Sequence, residues 1–361
     1  MKRRDFLRLA AFGAGTIALP RVAFVNEGQR ELGRKKLGRT EDGVPRQMKD
    51  AESFVVLPDT QNYARLFPDL FECQAKWIVD NREKYNIRFV LHEGDVTENN
   101  NKCQWDVART AMSHLDGKVP YAICLGNHDI GKNGRSDTRD SLFREYFTLD
   151  FWKKQSTFGG VYDKEVDRPD NSFHLYKTGD IEWLVLALEF GPRDDVLRWA
   201  NEVVGDHPKR AAILLTHSYL THQGRYSTSP HNYHCAKSEL GCKEGCNDGG
   251  QMWRRLVSKH KNFRLVFSGH TDLVARLDSK GAGGNTVHQY LADYQFCSNG
   301  GDTWMRLVQV GGDGRKLLTT DFAPKLGKIH TDKNATFSGD LLPVGSVSGN
   351  GYVCRPAYTS R

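Results

Sequence analysis

Leu125-Gly126-Asn127-His128-Asp129 is the stretch on which the fold turns. A short apolar run, Tyr121 to Leu125, stops on a glycine and three side chains able to hold a metal or a proton. A buried strand has this form when its C-terminal end opens onto a site. Other apolar runs end alike. Val55-Val56-Leu57-Pro58 ends in Asp59-Thr60-Gln61, and Phe89-Val90-Leu91 leads through His92 to Gly94-Asp95. Ile213-Leu214-Leu215 ends in Thr216-His217, and Leu265-Val266-Phe267 leads through Ser268-Gly269 to His270-Thr271-Asp272. Strand ends that all deliver acids, amides or imidazoles need a common reason. Two divalent cations sharing one site supply it.

Around these runs the pattern alternates. A strand at Ser53–Leu57, a helix over Leu70–Lys84 and a strand at Ile87–Leu91 come first. A helix with Trp105, Ala108, Met112 and Leu115 on one face and the strand Tyr121–Leu125 follow. This β-α-β-α-β order predicts a parallel sheet and an α/β, mixed fold class. Asp137–Phe147 reads as helical, Ser172–Tyr176 and Glu182–Leu188 as a hairpin, Asp194–Val204 as a helix and Ala211–Leu215 as a strand. After a long polar loop, Thr221–Gly250, come a helix at Met252–Lys259 and a strand at Phe263–Phe267. The chain then turns to strands: Asn285–Tyr294, Trp304–Val310 and Lys316–Phe322.

Residues 1–23 read as a twin-arginine signal peptide. Arg3-Arg4-Asp5-Phe6-Leu7-Arg8 precedes a short apolar run, Leu9 to Leu19, with Thr16-Ile17-Ala18 as a cleavage site. The expected location is periplasmic or secreted. No later segment is apolar enough for a stable membrane anchor. Residues 24–51 read as a flexible linker, 52–323 as the folded domain and 324–361 as a polar tail. The net charge is +7, and losing Lys2, Arg3, Arg4 and Arg8 against Asp5 would lower it to +4. A charge that small gives no argument for nucleic-acid binding. Of eight cysteines, Cys235, Cys242 and Cys246 share the long loop with His231 and His234. Their spacing favours a disulfide-stapled loop over a structural zinc site. Cys124 reads as a buried free thiol.

Taken in order, Asp-x-x, Gly-Asp-x-x-Glu-Asn, Gly-Asn-His-Asp, a strand-terminal His and Gly-His-x-Asp resemble the calcineurin-like metallophosphoesterase superfamily. The resemblance spans about Ser53 to Phe322. It implies a four-layer α-β-β-α sandwich of two mixed sheets with metals at the strand ends. It also implies hydrolysis of phosphate mono- or diesters by a metal-bridging hydroxide. The residues fit those roles. Asp95 has two oxygens with which to bridge both cations. Asn127, His217 and His270 would hold one cation, and Asp59 the other. By resemblance His128 contacts the phosphate and assists the leaving group, with Asp129 orienting its ring.

Two positions depart from the common pattern. Gln61 stands where the first motif usually has His, and Asp272 where the last usually has His. If both ligate, one cation sees only oxygen, from Asp59, Gln61, Asp95 and Asp272. Such a site prefers Mn²⁺, with Mg²⁺, Ca²⁺, Fe or Zn²⁺ still open. Glu98 occupies the position where purple acid phosphatases carry a tyrosine, which argues against a tyrosinate-ligated ferric centre. Asn62, Asn99 and Arg225 are candidate substrate contacts, and His92 a supporting residue. The expected substrate is a phosphorylated small molecule or macromolecule. The competing expectation is a secreted, non-catalytic binding protein with a degenerate metal site.

Overall fold

The computed structural model describes residues 33, 37–229, 245–341 and 344. The signal segment, the loop residues His231, His234, Cys235 and Cys242, and the tail with Cys354 lie outside the described residues.

Two sheets carry the fold. The first holds β1 (Thr40–Asp42), β2 (Ala51–Leu57), β3 (Ile87–His92), β4 (Tyr121–Ile123), β12 (Met305–Gly311), β13 (Lys316–Ala323), β14 (Lys328–His330) and β15 (Phe337–Asp340). Its order is β1-β14-β13-β12-β2-β3-β4, with β15 paired to β13. The second holds β5 (Phe158–Val161), β6 (Ser172–Thr178), β7 (Ile181–Ala187), β8 (Ala211–Leu215), β9 (Phe263–Ser268), β10 (Leu273–Lys280) and β11 (Thr286–Asp293), in the order β10-β11-β9-β8-β7-β6-β5. Within each sheet the strands that feed the site run parallel: β2, β3 and β4 in one, β7, β8, β9 and β11 in the other. Their C-terminal ends therefore lie at the same edge of their sheet.

The layers follow from side-chain alternation. Phe54, Val56, Phe89 and Leu91 of the first sheet pack against Trp183, Val185, Ile213, Leu265 and Phe267 of the second. Val55, Leu57 and Val90 point the other way, under α1 (Gln61–Leu66), α2 (Pro68–Asp80), α3 (Lys102–Ser113), α4 (Phe143–Tyr146) and α5 (Leu149–Lys153). Leu184, Leu186, Ala212, Leu214 and Val266 do the same beneath α6 (Asp194–Asp206) and α7 (Gly249–Arg255). The result is the expected four-layer sandwich. Central strands are buried on both faces, which is why they read as unbroken apolar runs. Local signals set the helix starts: Pro68 opens α2, Asn101 accepts from Gln104 N at the head of α3, and Asp248 and Gln251 close a capping box on α7.

Three expectations need correction. The helix expected over Asp137–Phe147 shrinks to Phe143–Tyr146. The residues before it close the loop after Asp129 instead: Asp137 Oδ1 accepts from Lys132 N at 3.1 Å, Asp140 O from Gly131 N at 2.8 Å, and Ser141 Oγ donates to Asp129 O at 2.7 Å. The polar tail is not all tail, since β14 and β15 join the first sheet. The segment taken as linker ends in structure as well. β1 pairs with β14, and Met48 N donates to Gln309 Oε1 at 2.8 Å. The folded unit is thus wider than 52–323. Among the described residues no helix is long and apolar enough to cross a membrane.

Trp183 is fully buried between the sheets, its indole edge-on to Phe54 and its Nε1 donating to Thr178 Oγ1 at 2.6 Å. Trp183→Ala should destabilise the protein by about 3–5 kcal/mol in urea titrations followed by far-UV circular dichroism. A loss below about 1 kcal/mol would mean that the two sheets do not depend on this contact.

Candidate metal centre

Asp95 lies where the strand ends converge. Its backbone is left-handed, with φ 46°, which aims the carboxylate across the top of β3 and β4. Gly126 packs directly upon it, and a Cβ there would overlap Asp95 Oδ1 and the Asp95 amide nitrogen. Only glycine allows that approach. His128 N then donates to Asp95 Oδ1 at 2.9 Å. The glycine of Gly-Asn-His-Asp is thus explained by packing against the carboxylate of Gly-Asp.

Asp95, His217 and His270 place one ligand atom each within 4.8 Å of one another. His217 is fully buried, and its Nδ1 lies 2.8 Å from Glu93 O, which requires a proton on Nδ1. Its Nε2 faces two oxygens, Asp95 Oδ1 at 3.2 Å and Asn127 Oδ1 at 3.1 Å. An imidazole lone pair set between oxygen lone pairs is unfavourable unless a proton or a cation lies among them. The Phe190 ring packs against both imidazoles, 5.8 Å from His217 and 5.3 Å from His270. These donors fit a divalent cation with mixed nitrogen and oxygen ligands.

Asp59 joins this group from β2. His270, also left-handed at φ 75°, donates its backbone N–H to Asp59 Oδ2 at 3.1 Å and Oδ1 at 3.3 Å. Gly269 again leaves no room for a side chain, because a Cβ would overlap Asp59 Oδ1. Gln61 donates Nε2 to Glu98 Oε2 at 2.9 Å, which leaves its Oε1 buried without a hydrogen-bond partner. A carboxamide fixed this way offers a neutral oxygen, as the departure from the usual histidine requires. Asp272 is partly buried, and its charge acts on Asp293. Asp293 and Gln295 were not singled out in the sequence. Both are buried, and Gln295 Nε2 reaches Asp59 Oδ2 at 3.3 Å. The signal was present: Leu291-Ala292-Asp293-Tyr294-Gln295 is another apolar run ending in Asp-x-Gln.

The remaining candidates divide. His128 Nδ1 is anchored on Glu98 O at 2.9 Å, leaving Nε2 as the nitrogen available to a substrate. The expectation that Asp129 orients this ring is corrected. Asp129 accepts from Val96 N, Thr97 N, Thr97 Oγ1 and Gly126 N at 2.8–3.1 Å, so it clamps the two motif loops together. Asn62 and Asn99 are tied into the fold: Asn62 Nδ2 donates to Gln295 O, and Asn99 Oδ1 accepts from Gln104 Nε2. Arg225 sits exposed in a tight turn closed by Thr221 N to Arg225 O at 2.8 Å. His92 supports as expected, taking Gly94 N on Nδ1 and facing Thr60 Oγ1 at 3.0 Å with Nε2. Burial pushes its pKa down to about 3, so the ring is neutral.

Electrostatics mark the same place. Burial, then neighbouring carboxylates, hold Asp59 well above the ordinary aspartate range. Burial and Asp95 push Asp129 up to about 6, and burial above all raises Asp293 to about 6. Burial opposes the charged forms of His128 and His217, but facing carboxylates, Asp95 foremost, override it and raise both.

A family model described as calcineurin-like phosphoesterase matches residues 53–272. The chain belongs to this family. Phosphoesterases, as that family is described, are hydrolases acting on phosphoric esters. The chain is 33% identical over 292 residues to the uncharacterized protein YvnB of Bacillus subtilis (strain 168), covering 79% of this chain and 21% of that one. It therefore spans about a fifth of that relative's length. Solved structures of similar shape include the purple acid phosphatase PPD1 from yellow lupin seeds, with TM-score 0.48 and 14% identity over 81% of this chain and 55% of that one. Another is a 5'-nucleotidase precursor from Thermus thermophilus, with TM-score 0.40 and 13% identity over 81% of this chain and 54% of that one.

Two outcomes follow from this geometry. Gly126→Ala should displace Asp95 and lower manganese content by elemental analysis; full content would show that the contact tolerates a methyl group. The contribution of the raised groups at the site to stability should also fall with rising pH. The raised carboxyls keep protons in the folded state that the unfolded chain has already released, so stability is lost between about pH 4 and 6. The raised histidines act in the same sense, because stability held by their protonated forms disappears above the ordinary pKa of 6.5. Buried His92, pushed down to about 3, acts in the opposite sense up to about pH 6.5, so the cation's own share is the test: added Mn²⁺ should raise the melting temperature more at pH 7.5 than at pH 5. The opposite trend would contradict a site that needs positive charge.

Proposed function

We propose that this protein is an exported binuclear-metal phosphoesterase that hydrolyses phosphate mono- or diesters. The observation that carries the proposal is the convergence of Asp95, His217 and His270 within 4.8 Å, with Asn127 Oδ1 3.1 Å from His217 Nε2. Asp59, Gln61, Asp95 and Asp272 are the proposed donors for one cation, and Asp95, Asn127, His217 and His270 for the other. Bound divalent cations, Mn²⁺ preferred, would supply Lewis-acid activation and neutralise charge on the phosphoryl group.

The chain's own groups do the rest. Asp95 fixes the position of His128 through its backbone N–H. Glu98 O holds a proton on His128 Nδ1, which leaves Nε2 to donate to the departing oxygen. The facing carboxylates favour the protonated ring that this step needs. A non-catalytic binding site would have no use for a histidine held so close to the ligands with one nitrogen left to a substrate. Export is supported by Arg3-Arg4 and the apolar run behind it, and would bring the protein to a compartment where the stapled loop can oxidise.

Para-nitrophenyl phosphate and its bis-ester, assayed with Mn²⁺ and with chelator, test the activity. Hydrolysis of at least one should require the cation. His128→Ala should lower kcat by about 10²–10⁴-fold while cation content stays unchanged, and Asp95→Ala should empty the site. Cation binding without hydrolysis of either ester would instead favour the non-catalytic alternative.

A further inference from the structure

Asp293 ends β11, the strand beside β9, and is 1% exposed. Its carboxylate is held twice by one residue: Gln295 N donates to Oδ1 at 2.9 Å and Gln295 Nε2 to Oδ2 at 3.1 Å. The same Nε2 lies 3.3 Å from Asp59 Oδ2. One amide nitrogen therefore ties two buried carboxylates together. Gln295 is 4% exposed, and its Oε1 has no hydrogen-bond partner. Its backbone carbonyl is pinned by Asn62 Nδ2 at 3.0 Å, so the residue is fixed at both ends. Asn62 neighbours Gln61, a proposed donor to the same cation. Asp293-Tyr294-Gln295 thus repeats the Asp59-Thr60-Gln61 pattern on the second sheet, and the two pairs meet across the site.

We propose that Asp293 and Gln295 are positioning residues for the Asp59-side cation, acting through the carboxamide that orients Asp59. The inference rests on the binuclear reading. Partners of ligating carboxylates commonly matter about 10–100-fold in metal affinity, because they fix the ligand's orientation and basicity. His217 rests on Glu93 O, apart from Asp59, and Asn127 Oδ1 faces His217 Nε2. The effect should therefore fall on one cation only.

The test is a Mn²⁺ titration of the metal-free full chain, followed by electron paramagnetic resonance. It uses wild type, Gln295→Leu and the near-isosteric Asp293→Asn, with circular dichroism to establish that each variant is folded. Wild type should bind two ions. Each variant should weaken one of them by about 10–100-fold and leave the other unchanged. Gln295→Asn, which keeps the amide but shortens it, should recover part of the loss. A general loss of fold would lower both affinities together, and that result overturns a positioning role. Two ions in wild type with both affinities unchanged in both variants overturns this inference alone. One ion in wild type overturns the binuclear reading, and this inference with it.

Discussion

The contact between the Asp95 carboxylate and the Gly126 backbone is the constraint from which the site is built. Asp95 is held in left-handed backbone, which costs a non-glycine residue about 1–2 kcal/mol. Its surroundings hold it there. Thr60 N donates to Asp95 O at 3.1 Å, His128 N to Oδ1, and Asp129 draws Val96, Thr97 and Gly126 around it. His270, also left-handed, does the same service for Asp59. Strained residues that persist under this much support mark a place where geometry matters more than local stability.

The sandwich supplies the rigidity. Each sheet contributes parallel strands buried on both faces, so none of them can shift without opening two apolar layers. The first sheet delivers Asp59, Asp95 and Asn127, and the second delivers His217, His270 and Asp293. A centre assembled from both sheets also joins them. Filling it with cations should therefore stabilise the whole domain, because a ligand that binds only the folded state adds its binding energy to folding.

Much of this was legible in the residues. A strand buried on both faces must be apolar throughout, so its abrupt end in Asp, Asn-His or His stands out. That contrast points to Asp95, His217 and His270, whose ligand atoms converge within 4.8 Å. Asp293 has the same signature but lies in a run that begins with Val287-His288-Gln289, where polar residues blur the strand. The role of Asp129 is not legible in sequence, because adjacency to His128 says nothing about where its oxygens point. The Asp137–Phe147 helix does not form for a related reason: Asp137 and Ser141, side chains that compete with a helix for backbone groups, close the loop behind the site. β1, β14 and β15 are three or four residues long at a sheet margin, too short to show a period.

The central claim is that two cations share the Asp95 carboxylate. Electron paramagnetic resonance of the manganese-loaded protein tests it most directly, because two Mn²⁺ ions bridged by one carboxylate couple their spins. The account predicts two ions per chain with an exchange-coupled spectrum that Asp95→Asn abolishes. Two uncoupled ions, or a single ion that survives the Asp95→Asn change, would contradict it.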